Sequence, residues 1–353
     1  MSRRKRTIAF LMVLAMMISV LAACGKNASE TGKKGADSAD SIEGKKFAIL
    51  AKSAGNPYME KQSGGFKEVI EAAGGTAILK APEAATAEGQ ITMINELIAQ
   101  KVDAIAVAAN DFDALQPALK KAMDQGIKVV SLDSAVNAQS RMVHVNQADS
   151  EKIGRTLVQA TKEMIGGSGQ IAVLSATSQA ANQNLWIDWM KKELEEGEYS
   201  GIELVKIVYG DDEFQKSVDE TEALIKNYPD LKAIIAPTTV GVAAASKVVT
   251  DKGLGGKLIV TGLGLPSEMA EYIENGTCPW MYLWNPIDVG ALAGHASIAL
   301  VKGEITGAAG DKFDAGDLGS YEVVEAADGG TEILLGAPFK FDKDNIGEWK
   351  TVY

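Results

Sequence analysis

The feature that most constrains this chain is a strict alternation of short apolar runs with longer stretches of helical periodicity, which begins at Lys46 and continues for most of the sequence. FAILA (47–51) reads as a buried strand. It is followed by Asn56-Pro57, an N-cap and first-turn proline opening a helix whose inward face carries Met59, Phe66, Val69 and Ile70. TAILK (76–80) precedes a helix with Ile91, Ile94, Leu97 and Ile98. DAIAVAA (103–109) precedes one over 113–125 that Gly126 stops, and KVVSL (128–132) is the fourth strand. Strands joined by crossover helices run parallel, take helices on both faces and connect right-handedly, so the fold class is α/β.

The order then starts again. MVHV (142–145), a helix over 149–165, QIAVL (170–174), a helix ending near Glu196, IELVKIVY (202–209), a helix to Asn227, AIIA (233–236), a helix to Lys252 and KLIVTG (257–262) follow in turn. VDAIAVAAND and KVVSLDS in the first half are echoed by LKAIIAPTTV and KLIVTGLG in the second, with no acid at the place of Asp133. Two similar doubly wound lobes facing each other are expected. The last quarter is less regular, with strands near 281–283 and 332–335 and a helix over 287–302.

The amino-terminal segment stands apart from this pattern. Arg3, Arg4, Lys5 and Arg6 precede an apolar core over 8–20 that is short for a membrane span, and Leu21-Ala22-Ala23-Cys24 closes it. Residues 1–24 therefore read as a signal peptide with a bacterial lipobox, Cys24 being the lipid attachment site and the mature N-terminus. Residues 25–45 hold little that is apolar beyond alanine and Ile42, so a solvated tether is expected there. With Cys24 lipidated, only Cys278 remains of the chain's two cysteines, and no intrachain disulfide can form. A formal charge of −12 opposes nucleic acid and broad adhesion to an anionic membrane, leaving the lipid anchor as the expected membrane contact.

Open parallel sheets hold ligands at the carboxyl ends of their strands. The polar residues there are Lys52 and Asn56 after the first strand, Asp133 after the fourth, and Asn182, Gln183 and Asn184 after QIAVL. Pro237, Thr238 and Thr239 follow AIIA, and Trp284 and Asn285 sit where the chain returns between lobes. Carboxylates and amides that can bind hydroxyls in pairs, together with aromatic rings, suit a polyol with apolar ring faces. The two histidines, His144 and His295, lack the partner spacing of a metal site or catalytic triad. The run 166–169 precedes a strand and is a turn rather than a phosphate cradle. No enzyme chemistry and no cofactor are expected.

VLSATSQAANQNLWIDWM (173–190), APTTVGVAAA (236–245), TGLGLPSEM (261–269), LWNPIDVG (283–290) and FDKDNI (341–346) resemble the rhamnose-binding proteins of bacterial ABC sugar importers. The receptors for the autoinducer-2 signal are close cousins of these, and the ribose-binding proteins more distant ones. The resemblance covers nearly all of 46–346. It implies two lobes joined by three crossings, placed near Val136, Asn285 and Gly303: a first lobe of 46–136 plus 286–302 and a second of 137–285 plus 303–353. It also implies a monomer outside the cytoplasm that binds a monosaccharide and serves ABC importer permease subunits. Lys52, Asp133, Gln183, Pro237 and Thr239 match positions that contact ligand in the autoinducer-2 receptors. Asn182 stands where those carry an aspartate, and its NQNLW context is of the rhamnose type. Tyr58 and Met59 match the place of ring-stacking phenylalanines in the ribose relatives, while Trp186 and Trp189 serve equally as core or as platform. A regulator's effector domain shares this plan, but the export signal and the lack of a basic helix-turn-helix oppose it.

Overall fold

A computed structural model describes residues 41–353. The expected signal peptide, Cys24 and the expected tether as far as residue 40 lie outside the described residues. The ordered chain starts earlier than Lys46, because Ile42, placed in the tether by the sequence reading, is 3% exposed and packs with Phe47 and Ile70 near Gly75.

The chain runs β1 (Lys46–Leu50), α1 (Pro57–Ala72), β2 (Thr76–Lys80), α2 (Ala87–Ala99), β3 (Ala104–Val107), α3 (Gln116–Asp124), β4 (Lys128–Leu132) and β5 (Val143–Ala148). Next come α4 (Ser150–Ile165), β6 (Gly169–Ser175), α5 (Ala181–Leu194), β7 (Ile202–Tyr209), α6 (Phe214–Asn227), β8 (Leu231–Ala236), α7 (Thr239–Asp251), β9 (Ile259–Gly262), α8 (Pro266–Glu274) and β10 (Trp280–Leu283). It ends with α9 (Pro286–Lys302), β11 (Lys312–Asp314), β12 (Ser320–Glu322), β13 (Val324–Glu325), β14 (Thr331–Gly336), β15 (Phe339–Asp342) and α10 (Ile346–Trp349).

The first sheet has seven strands in the order β13-β14-β5-β4-β3-β1-β2, parallel except for the β13 edge. The second has four in the order β7-β6-β8-β9, all parallel, and the β10-β15 pair adjoins it through a bridge between Leu263 and Tyr282. The internal echo is thereby explained: β2-β1-β3-β4 and β7-β6-β8-β9 are the same order, and the repeated segments are β3/β4 and β8/β9. Alternation along a strand serves both faces of the sheet. Phe47 and Ile49 of β1 join the core with Phe66 and Ile70 of α1, whereas Ala48 and Leu50 join the one with Ile94 and Leu97 of α2.

The lobe boundaries need correction. β5 was expected to open the second lobe, but it pairs in parallel with β4, and β14 pairs with β5, so both complete the first sheet. The chain therefore passes between the sheets at 149, at 284–286 and at 337–338, not near Val136 or Gly303. The crossing near Gly303 rested on the family resemblance. The φ of 76° at Gly303 makes it the left-handed C-cap of α9. Asn285 is where the second crossing falls. The sequence reading also missed α8, opened by Pro266 and packed on α7 and α10.

Helices α1 and α9 cross with their backbones touching. A Cβ on Gly290 would lie 1.8 Å from the Gln62 carbonyl oxygen, and one on Gly65 would lie 2.1 Å from that of Ile287. These two glycines are required by that approach and not by a turn. Among the described residues, no helix is long and apolar enough to cross a membrane.

His144 on β5 is 6% exposed and shares a 2.9 Å hydrogen bond with Ser131 Oγ through Nδ1. Burial, with the nearby positive Arg141, holds its pKa down to about 3. It is a core histidine. Cys278 is free and buried, and burial raises its thiol pKa.

Candidate functional site

The carboxyl ends of the two sheets face one another across a cleft. Its walls include Lys52, Asn56, Tyr58, Met59 and Asp133 from the first lobe, and Asn182, Gln183, Trp186, Asp212 and Thr239 from the second, with Pro237, Thr238, Leu263, Leu283 and Trp284 completing them. Asp133 is the centre. Its Oδ1 accepts from Tyr58 Oη at 3.1 Å and its Oδ2 from Asn182 Nδ2 at 3.3 Å, with Lys52 Nζ 3.4 Å from the same oxygen. Lys52 also donates to Asn182 Oδ1 at 3.2 Å, so a carboxylate, an ammonium and an amide close a triangle across the lobes. All three are buried, at 4%, 5% and 9% exposure. A charge pair at this depth is tolerated only because every member has a partner.

Aromatic rings form the adjoining wall. Trp284 Nε1 donates to Tyr58 Oη at 2.6 Å, and the Trp284 ring meets Trp186 and Tyr58 edge-on at centroid distances of 5.8 and 6.5 Å. Burial, reinforced by the negative charge of Asp133, raises the Tyr58 pKa, so the phenol remains a donor. Trp186 Nε1 is buried with no partner among the described residues, which leaves one donor at this wall unused. Amides, a carboxylate and an ammonium set against indole and phenol rings can bind a polyol by its hydroxyls and cover an apolar face.

The backbone is strained at this site. Asp133 has φ of 60°, in the left-handed region, and Asp211 and Asp212 have 54° and 55°. Aspartate tolerates this region better than most residues, but such conformations persist only where the surroundings impose them, and they gather at binding sites. The space between the walls is about 40 Å3, room for a few waters and too little for a monosaccharide without movement of the walls. Two larger cavities, of about 550 and 570 Å3, lie at the opposite, amino ends of the strands. They lack converging buried polar groups: Lys101 in one and Asp230, Lys232 and Lys257 in the other are exposed to solvent.

Most of the expected site residues meet here, but Asn184 and Asn285 do not. Asn184 is half-buried and spends its amide on the Ser178 carbonyl at 2.9 Å, because its place on α5 turns it away from the two residues before it. Asn285 is the N-cap of α9, its Oδ1 accepting from Ile287 N at 3.0 Å. Asn56 also caps a helix, its Oδ1 accepting from Tyr58 N and Met59 N, yet it remains in the wall. Gln183 commits its Oε1 to Ser175 Oγ and Ala176 N, at 2.7 and 2.8 Å. Asp212 was missed. The signal was available, since YGDD follows β7 at a strand's carboxyl end just as Asp133 follows β4.

Two α/β lobes with a polar, aromatic-walled cleft at their strand ends define a two-lobed binding protein. Residues 47–305 match the family model described as a periplasmic binding protein domain. An ABC transporter solute binding protein from Clostridium phytofermentas with bound L-rhamnose is 56% identical, with a TM-score of 0.86 over 88% of this chain and 100% of that one. LsrB from Clostridium saccharobutylicum in complex with AI-2 has a TM-score of 0.82 over 86% and 99% of the two chains, at 22% identity, a likeness of fold. The D-ribose/D-allose-binding protein of Pseudomonas aeruginosa is 26% identical over 178 residues, 49% of this chain and 55% of that protein, so the chain spans about half the length of this relative. The chain belongs to the periplasmic binding protein family and, within it, to the solute-binding proteins of ABC transporters.

Proposed function

We propose that this protein is an extracytoplasmic lipoprotein that captures a monosaccharide, L-rhamnose, between its lobes and delivers it to the permease subunits of an ABC importer. The observation that carries the reading is the buried Lys52, Asp133 and Asn182 triangle spanning the cleft beside the Trp284 and Trp186 rings. The 56% identity to a protein with bound L-rhamnose supports the choice of sugar. Because the space between the walls is about 40 Å3, sugar entry requires the lobes to part, and closure then follows from a ligand that bonds to both walls.

A thermal-shift panel of L-rhamnose, ribose, allose, galactose and AI-2 tests this reading. L-rhamnose should raise the melting temperature most, and the radius of gyration by small-angle scattering should fall on loading. Asn182→Asp should weaken L-rhamnose by roughly ten- to a hundredfold, since it sets a second carboxylate beside Asp133 and removes an amide donor. Tight AI-2 binding with L-rhamnose silent would transfer the site to the autoinducer reading.

Anchoring is separable from binding. Cys24 is proposed as the lipidated N-terminus, so the full chain should enter the detergent phase on partitioning and Cys24→Ser should stay in the aqueous phase. Equal partitioning of the two would refute the anchor.

A further inference from the structure

Asp212 sits in a turn whose conformation its sequence does not favour. Gly210, Asp211, Asp212 and Glu213 form a four-residue turn closed by a 2.9 Å bond from Glu213 N to Gly210 O, with positive φ at both central residues. That geometry belongs to turns that prefer Asn-Gly, and here neither central residue is glycine. The turn is held in place from outside. Gly210 N donates to Ser175 O at 2.9 Å and Asp211 N to Ala176 O at 3.0 Å, and a Cβ on Gly210 would meet Ser217 Oγ at 2.1 Å.

The two aspartates point different ways. Asp211 pairs with Lys216, outside the cleft. Asp212 enters the cleft wall, where its Oδ1 accepts from Thr238 Oγ1 and its Oδ2 accepts from Asn56 Nδ2 at 3.4 Å. The amide oxygen of Asn56 is already taken by the first turn of α1, so its NH2 is the group left to reach across. The contact joins the β7–α6 turn of the second lobe to the start of α1 in the first, close enough to the centre for the charges of Lys52 and Asp133 to act on Asp212.

We propose that Asp212 is the latch of the cleft: its bond to Asn56 joins the closed lobes and lengthens the residence of the bound sugar. The role rests on the sugar-receptor reading, and the strained turn is retained because it aims this carboxylate.

Rapid-mixing tryptophan fluorescence with L-rhamnose tests the latch, Trp186 and Trp284 being in the cleft wall. Asp212→Gly keeps the positive φ and removes the carboxylate; Asn56→Ser keeps the helix cap and removes the amide donor. Each should raise koff about tenfold, and the double variant should release no faster than either single one. The sugar-free Asp212→Gly protein should melt within about 5 °C of wild type, since relief of turn strain offsets the entropy of a new glycine and only the Thr238 bond, internal to the second lobe, is lost besides. Wild-type koff in Asp212→Gly, additive effects in the double variant, or a large fall in sugar-free melting temperature would each overturn the latch. A wild type silent to every sugar of the panel would overturn the receptor reading and the latch with it.

Discussion

Asp133→Asn is expected to weaken L-rhamnose binding by roughly thirty- to a thousandfold, the loss of about 2–4 kcal/mol of charge-assisted hydrogen bonding, while the protein stays folded. Asparagine is the informative replacement because it fits the space and tolerates the φ of 60° found at this residue. Either replacement removes the counter-charge of Lys52, 5% exposed, but alanine would also leave that ammonium without an acceptor and open a gap in the wall, whereas asparagine keeps an amide oxygen there. Titration calorimetry on the variant, with circular dichroism as the folding control, reads the result. Unchanged affinity in a folded variant would remove Asp133 from the site.

Acid should destabilise the sugar-free protein through His144. Its folded pKa is about 3, against an ordinary 6.5. Between those values the unfolded chain takes up a proton that the folded one refuses, so stability falls as pH falls from 6.5 toward 3 and is fully present above 6.5. The slope is about 1.4 kcal/mol per pH unit for one proton, and the whole effect is on the order of 5 kcal/mol. The groups around the ring are the Ser131 hydroxyl, the Arg141 guanidinium, which opposes protonation, and the Asp328 carboxylate, which favours it. Urea titrations at a series of pH values should show this slope in wild type and a shallower one in His144→Asn. Equal slopes would mean that the ring gains its proton without unfolding.

The α/β class and strands β1–β10 and β14 could be read from the sequence because buried strands are apolar runs separated by amphipathic helices, whereas the short, exposed β11, β12, β13 and β15 carry no such run. Asp133, Lys52 and Asn182 were legible for a related reason, since they are polar residues placed just past such runs. The assignment of strands to sheets was not legible. MVHV follows a turn and starts what looks like a fresh repeat, and only its pairing with β4 shows that the first sheet continues. Asn184 and Asn285 were expected in the site, but an amide near a strand end serves equally well as a backbone tie or a helix cap, and these two are so engaged. Asp212 was overlooked because β7 is followed by Gly-Asp-Asp, which reads as an ordinary solvated turn until the left-handed backbone that aims it is known.

The crossing of α1 and α9 bears on how a receptor of this kind could change its diet. Gly65 and Gly290 bring two main chains into contact, and α1 starts at Asn56 and Tyr58 while α9 starts directly after Trp284. No side chain can be inserted at either glycine without separating the helices, so Tyr58 and Trp284 are mounted on what is mechanically one part. This wall works as a fixed template. Refitting the cleft to another sugar therefore falls to side chains that no helix crossing mounts together, such as Asn182 and Thr239 on the opposite wall.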